Sequence, residues 1–194
     1  MKKAVEQYER VIEEYPEDEK APEALFVLGA IAESRANFGK AASYFARLGN
    51  SKTYVVEKEK EGSDETEEIE KKYYQHPKAA DAVYNAAQLR KAMEDWDGAI
   101  STFEKYMETF PKRDDIRDVR FQLCYLEKRR DQPEKALERF KKFGEREDLK
   151  PEEKVEIFTQ VGLLQEKLQP DEWKEKSDER FTKAYETWQG LKGD

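Results

Sequence analysis

One pattern restricts this chain more than any other: an alanine, an aromatic residue four positions on and an apolar residue three beyond that. It occurs as Ala4/Tyr8/Val11, Ala41/Phe45/Leu48, Ala99/Phe103/Tyr106 and Ala136/Phe140/Phe143. A spacing of i, i+4, i+7 puts each trio on one helical face. Twelve residues after the alanine stands a proline in two copies, Pro16 and Pro111, where it ends the helix; the other two carry Thr53 and Asp148. A second amphipathic stretch precedes three of the four, beginning at Ala21 (APEALFVLGAIAESR), Lys78 (KAADAVYNAAQLRKA) and Asp115 (DIRDVRFQLCYLEKR). Each forms a helical hairpin with the alanine–aromatic helix after it, through polar turns such as MEDWDG and RRDQPE, and Pro133 stands near a helix start where its missing N–H costs nothing. The first copy, MKKAVEQYERVIEEYP, is a second helix with no first helix before it.

Composition agrees with thin, two-layer helical packing. Of 194 residues 37% are apolar and 41% charged, at a mean hydropathy of -1.07, so little of each segment can be buried. Nine Gly and seven Pro punctuate long runs of strong helix formers, which makes the chain all-α. The net charge of -8 repels nucleic acid and anionic membrane surfaces. There is no apolar run of membrane-spanning length and no export leader in this sequence, which suits a soluble chain of either the cytoplasm or the periplasm.

The hairpins resemble tetratricopeptide repeats, helix-turn-helix units with a period of 34 residues. The best copy is AVYNAAQLRKAMEDWDGAISTFEKYMETFP, Ala82 to Pro111, with Gly29, Ala41, Ala87 and Ala99 at places where paired helices touch. A fourth pair, VEIFTQVGLLQEK then DERFTKAYETW, keeps Gly162, Phe181 and Ala184. The resemblance implies a right-handed α-solenoid forming a single domain over 1–194: a second helix at 2–15, repeats at 21–49, 79–110 and 115–146, and a degenerate repeat at 151–189. Departures are the first-helix aromatic, replaced by Ala32, Arg90, Glu127 and Gln165, and alanine spacings of 37, 58 and 37 residues. The long interval holds an insertion at 50–77, in which Glu57 to Lys72 has eight acidic and four basic residues. Ser63 or Asp64 as cap, with Glu67 placed for a capping box, makes Asp64 to His76 an extra helix and Ser51 to Gly62 an exposed loop, with a solvated excursion as the alternative.

No catalytic residue, cofactor site or metal site is expected. His76 is the single histidine and matches the helix-end residues Tyr15 and Phe110, while Cys124 takes the small-residue position of Ala87 and Gly29. Gly-rich phosphate loops, HExxH and GxSxG are absent. The resemblance instead implies a non-enzymatic scaffold that binds a protein or peptide segment in a groove lined by first helices. Carried over by position, the groove has Phe26, Tyr84 and Phe121 at one level, Ala30, Gln88 and Tyr125 one turn on, then Lys91, Lys128, Arg129 and Lys167. The aromatics would anchor partner side chains or pack between repeats, and the cations would attract an acidic segment or follow the helix dipole. Chaperone-tail clamping is not expected, because of Phe26, Ala30, Asn85, Asp118 and Gln122 only Asn85 fits its pattern. The endings EEYP and ETFP resemble bacterial cell-envelope scaffolds, which implies a multiprotein assembly. A spacer fragment of a longer repeat protein, binding nothing in its groove, is the alternative. Trp173, Phe181, Tyr185 and Trp188 in the last hairpin are candidates for self-association.

Overall fold

Helix follows helix at close range because the residues between them are small. A Cβ on Gly29 would come within 2.4 Å of the Phe45 ring, and one on Gly49 within 2.0 Å of Val83, so only glycine lets these backbones approach. Ala41, Ala86, Ala87, Ala99 and Ala136 are likewise fully buried. The computed structural model describes residues 2–50, 53–56, 71–74, 76–169, 182 and 184–190.

Among these residues the helices are α1 (Lys2–Glu14), α2 (Ala21–Ser34), α3 (Phe38–Asn50), α4 (Ala79–Ala92), α5 (Trp96–Thr109), α6 (Ile116–Arg129), α7 (Pro133–Gly144) and α8 (Pro151–Leu168), with a helical segment at 184–190. They form two compact units, 1–111 and 112–194. In the first, α1 packs on α2, α2 on α3, α3 on α4 and α4 on α5; in the second, α6 packs on α7 and α7 on α8. Each layer therefore covers the next, which is the tandem hairpin architecture of an α-solenoid. Leu25, Leu28, Phe45 and Leu48 belong to the core of the first unit, and Phe140, Phe143, Ile157 and Val161 to that of the second.

Three hairpins turn in the same way. Ala36, Glu94 and Asp131 have φ of 55°, 60° and 57°, and each is the left-handed residue just past the end of a first helix. The next N–H, from Asn37, Asp95 or Gln132, returns to the carbonyl of Ala32, Arg90 or Glu127, closing a Schellman cap. In the second hairpin Asp95 Oδ1 then accepts from Gly98 N–H at 3.0 Å, capping α5 at once.

The insertion departs from expectation. Thr53–Val56 and Lys71–Tyr74 are strands, β1 and β2, paired antiparallel with Thr53 opposite Tyr74 and Val56 opposite Lys71. The loop expected over Ser51 to Gly62 is thus corrected at 53–56, and the helix expected over Asp64 to His76 at 71–74. The charge run directed that reading, whereas TYVV and KKYY, which flank it, hold β-branched and aromatic residues suited to a pleated ribbon. Residues 57–70 and 75 lie outside the described residues, as do Trp173 and Phe181 of the last hairpin.

Candidate partner-binding face

In the first unit the expected groove aromatics lean inward. Phe26 on α2 is half-buried, its ring 6.1 Å from that of Phe45 on the second helix of its own hairpin. Its other side is also covered. The His76 ring stacks at 6.4 Å, and Lys78 Nζ stands 4.1 Å from the Phe26 centroid. His76 Nδ1 accepts from Lys78 N–H at 3.2 Å, so Nε2 carries the proton and donates to Glu23 at 3.1 Å. The histidine is a strut between α2 and the start of α4. Tyr84 on α4 meets Phe103 and Tyr106 edge-on at 5.7 and 5.9 Å, with Gln88 and Lys91, both partly buried, one and two turns further on.

The second unit carries more of its groove set in one place. Phe121 on α6 contacts Phe140 and Phe143 at 6.4 and 5.8 Å, again within its own hairpin. Tyr125 packs edge-on against Phe121 and Phe140, both at 5.3 Å, and its hydroxyl donates to the Glu156 carboxylate on α8. Burial, and then that carboxylate, push the phenol well above its ordinary value. Lys128 Nζ donates to Gln160 Oε1 at 2.7 Å, and Arg117 Nε lies 3.3 Å from Glu153, an ion pair without hydrogen-bond alignment. These contacts make a polar seam from α6 to α8.

Lys128, Arg129 and Lys167 gather at the end of α6. Arg129 is exposed; Lys167, 62% exposed, pairs at 3.2 Å with Asp131, itself 86% exposed. Such a surface pair contributes at most about 1 kcal/mol, so Lys167 is readily diverted to a partner. Leu163 was missed by the sequence reading and is 43% exposed. Its register is legible in retrospect: Gly162 takes the place of Cys124, so Leu163 follows it as Tyr125 follows Cys124.

Two buried groups complete the hairpin interiors. Cys124 is almost fully buried, its thiol donates to the Arg120 carbonyl at 3.3 Å, and burial pushes it up to about 12. Glu127, 1% exposed, accepts from Arg130 Nη2 at 2.7 Å and Arg139 Nε at 3.0 Å. Among the described residues no group of three His, Cys, Asp or Glu side chains has metal-holding geometry, and no helix is long and apolar enough to cross a membrane.

Residues 81–113 match the sequence model of the tetratricopeptide repeat. The chain carries a tetratricopeptide repeat. No curated protein sequence matches the chain. Among solved structures, MamA is similar at TM-score 0.52 and 14% identity, covering 98% of this chain and 90% of MamA. A double mutant of MamA from RS-1 is similar at TM-score 0.52 and 16% identity, over 100% of this chain and 88% of that one. The tetratricopeptide-like repeats of a putative kinesin light chain from Podosopora anserina are similar at TM-score 0.54 and 11% identity, over 100% and 89%. At such identities the likeness shows the fold. The matched tetratricopeptide repeat spans most of the α4–α5 hairpin and holds Tyr84, Gln88 and Lys91 of the candidate face. The repeat and the fold suggest a protein–protein interaction scaffold.

Proposed function

We propose that the chain is a non-enzymatic scaffold, working within a larger bacterial multiprotein assembly, that binds a partner segment along the faces of its first helices. The observation that carries this reading is the α6–α8 face, where the half-buried Tyr125 precedes Lys128 and Arg129 by one turn of α6 and the exposed Leu163 holds the equivalent position on α8, one turn before Lys167. An apolar anchor flanked by cations suits an amphipathic segment with acidic residues, the cations steering approach and the anchor holding it. In this account Phe121 shapes the floor beneath the contact, because its ring is committed to its own hairpin. The helix endings EEYP and ETFP support the bacterial setting by resemblance.

The test is partner capture with the intact chain, with Leu163→Asp, and with the pair Lys128→Glu and Arg129→Glu. All three positions are exposed, so the fold survives the changes. Loss of the same captured partner by Leu163→Asp, and salt-sensitive weakening by the charge reversals, are the expected results. Capture unaffected by every variant would overturn the reading.

A further inference from the structure

The first and third hairpins share one register, and they differ at the residue whose carbonyl closes the turn. In the third, the Glu127 carboxylate fills the space under the turn and is held by Arg130 and Arg139. In the second, Arg90 occupies the corresponding place and donates to the Gly98 carbonyl at 3.2 Å. In the first, the residue is Ala32, and a cleft of about 180 Å³ opens there between α1, α2 and α3. The arginine survives although its carboxylate does not: Arg35 stands where Arg130 stands in the third hairpin, and it lines this cleft with Lys40.

Val5, Leu28, Ile31 and Ala32 give the cleft an apolar wall. Glu9, its one acidic lining residue, is held by the Tyr44 hydroxyl at 2.9 Å. Among the described residues neither the Arg35 guanidinium nor the Lys40 ammonium has an ion-pair or hydrogen-bond partner. Two unpaired cations at one cleft, in a chain of net charge -8, are complementary to an incoming anion. In the third hairpin the position of Ala32 holds a glutamate carboxylate between Arg130, matched here by Arg35, and Arg139, matched here by Tyr44.

We propose that this cleft is a docking site for a glutamate-bearing, aliphatic segment of a partner protein. The glutamate carboxylate takes the place that Glu127 fills in the third hairpin, reaching Arg35 and Lys40, while its stem and an aliphatic neighbour cover Val5, Leu28 and Ile31. The site is separate from the α6–α8 face and stands or falls independently of it.

The experiment is amide NMR titration of the full chain with acetyl-Leu-Glu-Leu-amide and with its glutamine counterpart. Saturable shifts centred on residues 31–40 are expected with the glutamate peptide, with affinity at least about tenfold lower for the glutamine peptide. Ala32→Glu, which supplies the carboxylate from within, and the pair Arg35→Glu and Lys40→Glu should abolish these shifts. Lys128→Glu with Arg129→Glu should leave them unchanged. An absence of saturable shifts at millimolar peptide, equal binding of both peptides, or full binding by folded Ala32→Glu would each overturn the proposal.

Discussion

The α2–α3 and α6–α7 hairpins have the same backbone and opposite interiors. Both turn through one left-handed residue, Ala36 or Asp131, and both return an N–H to the carbonyl five residues back. Under that common turn the α6–α7 hairpin buries a carboxylate between two guanidiniums, whereas the α2–α3 hairpin leaves a cleft with two open cations. The turn is thus independent of what lies beneath it. Backbone geometry defines the repeat, and side chains at a few enclosed positions distinguish its copies.

The largest effect expected removes what the two hairpins share. Phe45 and Phe140 are equivalent, fully or almost fully buried, and truncating either to alanine should cost about 3 to 5 kcal/mol in urea unfolding. A difference of more than about 2 kcal/mol between them would break the equivalence, since cavity costs alone scatter by that much.

Removing what they do not share comes next. Glu127→Ala removes a buried acceptor from Arg130 and Arg139 and should cost about 2 to 3 kcal/mol, the loss being moderated because both guanidiniums reach solvent. Guanidinium denaturation at neutral pH measures it, and a loss under about 0.5 kcal/mol would place the triad among weak surface pairs.

A titration sharpens the comparison further. The first hairpin has Gly29 where the third has Cys124, whose thiol is raised by burial to about 12. The folded state keeps that thiol protonated, while the unfolded chain ionises it near its ordinary value of about 8.5. Stability from this site is therefore fully present below about pH 8.5 and declines as pH rises toward 12. Cys124→Ala should flatten the alkaline fall in unfolding free energy; an unchanged slope would mean that the thiol ionises freely in the fold.

The smallest effects lie in the turns. Ala36→Gly relieves a positive φ and should stabilise by under about 1 kcal/mol, the gain being offset by the freer unfolded chain. Asp131→Gly should gain less, since it also loses the Lys167 pair. Thermal melts compare the two, and a clear loss from Ala36→Gly would contradict the cap.

Most of this fold was legible because its signal is local and repeated. Ala41, Phe45 and Leu48 mark a buried face by spacing alone, and Gly29 marks a close approach because nothing larger fits. The candidate site was legible only in register. Position placed Phe26, Tyr84 and Phe121 on one level, but it could not say that each ring would turn into its own hairpin, because that depends on a second helix brought in by folding. Leu163 was passed over although Gly162, aligned with Cys124, set its register. The ribbon of β1 and β2 was hidden by charge, since the acidic run between the strands outweighed the four residues at either end that form it. Glu127 was visible as a departure from the family pattern, yet its meaning depends on Arg130 and Arg139, which come together only when α6 and α7 close.

The most direct test of one backbone with exchangeable interiors is equilibrium urea unfolding of Ala32→Glu beside the parent chain. With Arg35 and Lys40 lining the cleft, the introduced carboxylate finds partners, and the midpoint should hold or rise. A loss of about 2 kcal/mol or more, the mark of a buried charge without a partner, would contradict it.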